Sequence, residues 1–461
     1  TLYLNNKVEQ YRLRIAQDQK SFLDILGLIA ESYVTMFVAG PLFIIIMVSV
    51  MTIMNGGSPM MLYIIIYAVL PLGSIIFIVM IAMMAPQEEM KPKPFEVNLV
   101  TQYDMLAEAN SDAAKEDKKK LGDLKKARDS QKYKAFMANP LAWVQKDPIN
   151  SLAISAPVGI LVVVLLIALT FGSLNQAFSD VSKIQLNIML GKISATNDPF
   201  TIYGPIIGYF DDFIVYFLVI AMVPLAFFHE AKNMKERKIA QEMPDFLKQL
   251  SSTNETGMTL SQSIGLIANT NFGTLSSYVQ RVYKDMQWGT DVSTSLKRFA
   301  NALSTSSATR TITLITKASE SSGDIKDVLN IAANDARATE MMRKERSDGM
   351  LIYVVIILIS FCVFLYCVFT LTSSFIPVMA SAAGASSPSS SGVTQSMSAQ
   401  SSFIHAFNPD DYVRLFFHAA VIQGMFAGLL AGQMGEGNWM SGLKYSLIMM
   451  LIAYVVFTVF I

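Results

Sequence analysis

The feature that most constrains this chain is a set of long stretches without a charged side chain. Between Glu31 and Glu88 there is no Asp, Glu, Lys or Arg. An α-helix needs about 20 apolar residues to cross the ~30 Å hydrocarbon core of a bilayer, and such a run has no reason to exist in a water-facing helix. The stretch is interrupted at Asn55-Gly-Gly-Ser-Pro59, a turn-forming sequence, so it reads as two spans, 34–54 and 62–84. Further spans follow at 152–173, 208–228 and 350–374, then between Arg414 and Glu436, and from Tyr445 to Ile461. The expected fold class is therefore all-α, a polytopic membrane protein with about seven transmembrane helices. Composition agrees: 16% of residues are charged, against about 25% in soluble chains.

Lys and Arg set the expected orientation, because they accumulate on the cytoplasmic side. Residues 86–150 hold 12 of them, 229–349 hold 16 and 1–33 hold 4. The intervening segments are nearly free of them, with only Lys183 and Lys192 in the loop 174–202 and none in 381–411. Seven spans place every charged segment on one side. The expected organisation is a cytoplasmic helical segment at 1–33, two spans in 34–85, a charged cytoplasmic helical segment at 86–150, and two spans in 151–228. A cytoplasmic bundle follows at 229–349, then three spans in 350–461. The external loop 381–411 is Ser-rich and linker-like. Residues 104–134 mix helix formers with both charges, including Lys118-Lys119-Lys120. They suit either a solvated helical excursion or an arm that binds a partner or membrane lipid headgroups.

The insert 229–349 has helical periodicity. Leu260, Ile264, Ile267 and Ala268 fall on one helical face, as do Val292, Leu296, Phe299 and Ala300, and Leu275, Val279, Val282 and Met286. Glycine marks the turns: Gly257 precedes Thr259-Leu260, Gly289 precedes Asp291-Val292, and Gly323 precedes Ile325. Gly suits the left-handed position that closes a helix, and Thr259 or Asp291 can cap the next one. The insert thus reads as a six-helix bundle of short helices in three similar hairpins. Pro244 suits the first turn of the opening helix.

Recognisable catalytic chemistry is missing. The chain has no phosphate-binding loop of the G-x-x-x-x-G-K-[ST] type, no nucleophile elbow, and no zincin helix, since Asn233 stands where a second His would be needed. His229, His405 and His418 are scattered, and Cys362 and Cys367 lie in one apolar stretch without metal-ligand spacing. Neither an enzyme nor a cofactor is expected. A net charge of zero gives no basic surplus for nucleic acid. A transporter or channel is the alternative class, but the spans carry no mid-membrane ionisable pathway; the nearest acids, Asp211-Asp212, fall at a span edge.

Four ordered motifs resemble the type II secretion system F domain: Glu242-Met-Pro-Asp-Phe-Leu, Thr256-Gly-Met-Thr-Leu-Ser-Gln-Ser-Ile, Trp288-Gly-Thr-Asp-Val and Ala318-Ser-Glu-Ser-Ser-Gly-Asp-Ile-Lys-Asp-Val-Leu. The likeness covers about residues 237–375. Seven spans and a long external loop are most similar to the archaeal branch of that family, which assembles archaella or archaeal type IV pili. The resemblance implies a non-catalytic platform in the cell (cytoplasmic) membrane. It also implies a homodimer whose partners are a hexameric secretion ATPase and archaellin or pilin-like subunits. Family members often carry two F domains, and residues 1–33 are expected to be the remnant of a first one, in a chain that is a fragment. Within the matching motifs, Pro244, Gly257, Gly289, Glu320 and Gly323 are the candidate fold-keeping or partner-binding residues. Glu320 stands out as an acid beside a turn with no evident packing role.

Overall fold

The computed structural model describes residues 2–55, 60–84, 95, 148–170, 199–321, 325–378 and 409–460, with isolated positions between 172 and 186. Among the described residues there are helices and no strands. The helices are α1 (Leu2–Tyr33), α2 (Gly40–Asn55), α3 (Met60–Ile64), α4 (Leu70–Met84), α5 (Leu152–Leu169), α6 (Pro199–Glu255), α7 (Leu260–Ile267), α8 (Ser276–Gln287), α9 (Val292–Leu303), α10 (Ser306–Ser321), α11 (Lys326–Thr370), α12 (Pro409–Glu436) and α13 (Leu443–Phe460). Two compact units divide the chain. One comprises residues 1–86, 151–229 and 346–461, the other 87–150 and 230–345. Helices α6 and α11 contribute residues to both.

The first unit is apolar inside and out. Phe43, Met47, Ile76, Ile352 and Tyr366 are large exposed side chains on helices of this unit, an arrangement that water penalises and lipid accepts. Among the described residues, six helices are long and apolar enough to span a membrane: Asn6–Met51, Met61–Met84, Phe213–Glu255, Lys326–Val378, Tyr412–Glu436 and Trp439–Val459. The remaining expected span, 152–173, corresponds to α5, whose 18 residues Leu152–Leu169 rise about 27 Å at ~1.5 Å per residue. The external loop 381–411 lies outside the described residues except for its last three positions, in α12.

Helix α12 organises this unit. It packs against α4 and, far more closely, against α13. Gly428 lies against the Ser446 backbone, Gly432 against the Gly442 backbone, and Gly442 against the Leu429 backbone, so that a Cβ at any of the three would overlap main-chain atoms. Gln423, fully buried on α12, donates from Nε2 to the Phe37 carbonyl at 3.2 Å and to the Tyr33 hydroxyl at 3.4 Å. Phe37 sits in a π-helical turn, Val34–Ala39, in which the Gly40 N–H reaches back to the Thr35 carbonyl. Such a turn loosens the regular ladder and exposes carbonyls to outside donors. Similar turns occupy Ile65–Val69 and Leu371–Phe375.

Helices α1 and α11 run parallel. Leu23 packs against Gly349, Gly27 meets the Tyr353 ring, and the Tyr353 hydroxyl donates to the Leu23 carbonyl at 2.6 Å. Two further approaches match each other: Phe37 lies over Gly73 on α4, and Phe361 over Gly424 on α12.

The second unit is a helical bundle with its own core, built from Phe246, Leu247 and Leu250 of α6, Ile264 and Ile267 of α7, Val279 and Val282 of α8, Leu296, Phe299 and Leu303 of α9, Ile312 and Ile315 of α10, and Leu329 of α11. The helical stripes read from the sequence are the buried faces, because a 3.6-residue repeat keeps one side of each helix inward. Its six helical segments are not all short, however. Helices α7 to α10 have 8, 12, 12 and 16 residues, while the outer two segments are parts of the 57-residue α6 and the 45-residue α11.

Pro244 requires a correction. It is not in the first turn of an opening helix but buried in the interior of α6. Its ring supplies no N–H for the Ala240 carbonyl, a cost that interior prolines always carry. The helix runs through because Ile239, Met243, Phe246, Leu247 and Leu250 bury one continuous face on both sides of it.

Replacing Gly428 or Gly432 by Val forces α12 and α13 apart. Overpacking costs about 1–3 kcal/mol even where side chains can yield, and here the obstruction is backbone. Thermal unfolding in detergent should show a clear fall in midpoint or loss of the monodisperse species. Gly172→Ala, at a position with open space around it, should leave both unchanged.

Candidate functional site

Two described helix-to-helix turns, at Gly257 and Gly289, lie at one end of the second unit. Helix α8 closes with a Schellman arrangement: Gly289 has φ +87°, its N–H donates to the Met286 carbonyl at 3.0 Å, and the Thr290 N–H reaches the Asp285 carbonyl at 3.1 Å. Asp291 then caps α9, accepting from the Ser293 N–H at 3.0 Å. Gly257, after α6, also has φ +87°, and its N–H donates to the Asn254 carbonyl at 3.1 Å. Thr259 opens α7 with a capping box in which Gln262 and Thr259 exchange side-chain-to-backbone bonds of 3.1 and 3.4 Å. Both glycines occupy the left-handed region in which a Cβ is strained. The third turn, with Gly323, lies outside the described residues.

Side chains tie these turns together. The Glu320 carboxylate, at the end of α10, accepts from the Ser293 hydroxyl at 3.1 Å and from Lys297 Nζ at 3.3 Å, both on the first turns of α9. Lys317 adds a longer pairing at 3.8 Å. The Ser293 hydrogen bond, then Lys297, hold the Glu320 carboxyl below its ordinary value of 4.5. The acid that lacked a packing role in the sequence is thus a link from α10 to α9. The Asn330 amide donates to Glu255 Oε1 at 2.9 Å, joining the start of α11 to the end of α6. Gly257, Gly289 and Glu320 therefore share one end of the bundle. Pro244 does not; it lies 13 residues before Gly257, about 20 Å along a helix.

The sequence did not reveal Glu242. From inside α6 its carboxylate accepts the N–H of Thr274 at 3.1 Å and of Leu275 at 2.8 Å. It thereby caps the short helical turn Gly273–Leu275 that leads into α8. Gly273, with φ +63°, is pressed so closely against this carboxylate that a Cβ would collide with it. An anion at a cluster of free helix-start N–H groups is favourable for both charge and hydrogen bonding. The signal was present in Glu242-Met-Pro244, but its partners lie more than 30 residues downstream.

The chemistry available at the turn end is that of a contact surface. Trp288 is 90% exposed there, beside the rigid Gly289 turn and the polar Ser293–Lys297–Glu320 network. A large exposed aromatic on a well-ordered turn is the kind of side chain that anchors protein interfaces. Among the described residues, no group of three or more His, Cys, Asp or Glu side chains comes together as a metal site would require.

Residues 246–372 match the family Type II secretion system (T2SS), protein F, so this chain carries an F-type domain formed by the end of α6, α7 to α10 and all of α11. The chain is also similar to the uncharacterized protein MJ1286 of Methanocaldococcus jannaschii. The two are 24% identical over 254 residues, which make up 54% of this chain and 38% of the relative. The chain therefore matches well under half the length of that protein. No solved structure matches it.

Two outcomes test the turn end. Gly289→Ala should destabilise the bundle by about 1 kcal/mol, read by chemical denaturation, because the added Cβ sits at positive φ. Glu320 has a folded value below its unfolded one, so its stabilisation is present at neutral pH and is lost as pH falls through the folded value, below 4.5. Glu320→Gln should be less stable than wild type at pH 7, and the two should converge under acid.

Proposed function

We propose that this chain is a multi-pass platform protein of the cytoplasmic membrane that assembles an archaellum or a type IV pilus-like filament. It would couple a hexameric secretion ATPase on the cytoplasmic side to the insertion of archaellin or pilin-like subunits from the membrane. The observation that carries the reading is the matched F-type domain flanked by helices that continue as apolar spans: α6 and α11 each hold both. The archaeal origin of the similar protein supports the archaeal branch. In this reading the chain is a scaffold and catalyses nothing itself. Hydrolysis belongs to the ATPase, and the contribution of this chain is to hold partners in place.

The cytoplasmic bundle would receive the ATPase at its turn end, where Trp288 and the Glu320 network offer an aromatic anchor and a polar rim. Helices α1 to α4 would be the counterpart of α11 and α12, left from a first F-type copy. The parallel contacts of Leu23 and Gly27 with Gly349 and Tyr353, and the matching Phe37–Gly73 and Phe361–Gly424 approaches, support that. The platform is proposed to act as a homodimer.

A strain lacking the gene should make no surface filaments, and the tagged protein should retain the ATPase on purification from membranes. Trp288→Ala should reduce the retained ATPase at least several-fold while the protein remains folded. Full filament assembly by the deletion strain would overturn the proposal. Flux of a solute into proteoliposomes containing this chain alone would favour a transporter.

A further inference from the structure

At the bundle end opposite the glycine turns, one side chain holds the backbone of a residue from a remote part of the chain. Asn301 lies in the last turns of α9 and is partly buried. Its Oδ1 accepts the Phe95 N–H at 2.7 Å, and its Nδ2 donates to the Phe95 carbonyl at 3.0 Å. The Phe95 ring is half-buried and packs against the core of the second unit. These two residues are 206 positions apart, so local chain geometry does not explain the contact.

An Asn amide presents one donor and one acceptor side by side, and an extended residue offers its own N–H and C=O with the same spacing. The pairing copies one hydrogen-bonded step of an antiparallel ladder. It recognises the backbone of a single residue, while the apolar surface beside it recognises that residue's ring. This combination, main-chain hydrogen bonds plus a pocket for a side chain, is how domains capture extended peptides. The sequence before Phe95 is Lys91-Pro-Lys-Pro94. Proline restricts its own φ and the residue before it, so such a peptide has less conformational freedom to lose on docking.

We propose that Asn301 and the adjoining apolar surface form a peptide-docking site for an extended segment with an aromatic anchor, occupied in cis by Phe95. The site fastens the segment that follows α4 to the F-type bundle. Its occupant is part of the same chain, so occupancy is set by effective concentration and any competitor in solution meets a site already filled.

The test uses the full chain in detergent and a fluorescent peptide of residues 91–99, with binding read by anisotropy. Phe95→Ala removes the ring anchor and so weakens the tethered occupant, and should bind the peptide. Wild type, with the site filled, should bind it at least about tenfold more weakly. The double variant Phe95→Ala/Asn301→Ala should also bind at least about tenfold more weakly than Phe95→Ala, the ratio that loss of two neutral hydrogen bonds gives. If that variant loses helicity by circular dichroism, Phe95→Ala/Asn301→Asp takes its place, since it keeps the acceptor for the N–H and removes the donor. Equal binding by wild type, Phe95→Ala and the double variant, or binding by none of them, overturns the proposal.

Discussion

The first unit depends on the backbone-to-backbone approach of α12 and α13. In a bilayer the surrounding lipid is as apolar as the side chains, so burying Leu or Phe against a neighbour gives little net drive, and association rests on close van der Waals packing. Gly428, Gly432 and Gly442 allow that packing because no Cβ intervenes. With α13 seated on one side, α12 presents Gln423 to the loosened carbonyl of Phe37 and Gly424 to the ring of Phe361. A backbone carbonyl left without a partner is costly inside this layer. The π-helical turn and the buried amide thus answer one another: the turn exposes a carbonyl and α12 brings the donor.

The second unit solves a different problem. Water competes for its hydrogen bonds, and its core of Phe246, Phe299, Ile312 and Leu329 supplies the drive. What the polar groups add there is definition. The capping box at Thr259, the Schellman closure at Gly289 and the Glu242 cap on Thr274 and Leu275 each end or begin a helix at a fixed residue. Such caps contribute about 1 kcal/mol apiece. Their larger effect is that consecutive short helices meet the core in one register.

Charge-free runs were legible in the sequence because the bilayer penalty on charge is severe and one-dimensional, and the bundle stripes because helical period is local. The glycine turns were legible for the same reason: a left-handed closing residue and the next cap lie within three positions of each other. The role of Glu320 was not, because its partners Ser293 and Lys297 lie on another helix. Glu242 was invisible for the same reason. Pro244 misled because a helix-starting preference is weak beside a continuous buried face, and α6 continues through it. Gly323 lies outside the described residues, so its likeness to Gly257 and Gly289 rests on sequence. The third span was legible as an apolar run, and α5 covers Leu152–Leu169 of it.

If the chain is the platform proposed, its two connecting helices are not mechanically equal. Helices α6 and α11 each contain residues of both units. Helix α6 contains Pro224 and Pro244, and with each a missing backbone hydrogen bond in its interior. Proline-linked bends are the commonest cause of a helix yielding at a defined point. Helix α11 has no proline between Lys326 and Thr370 and continues into the π-helical turn Leu371–Phe375. It is also braced within the first unit by α1, through Leu23 on Gly349 and Tyr353 on the Leu23 carbonyl. Under the proposed function, α11 would therefore be the stiffer of the two connections and the proline-containing α6 the more yielding one.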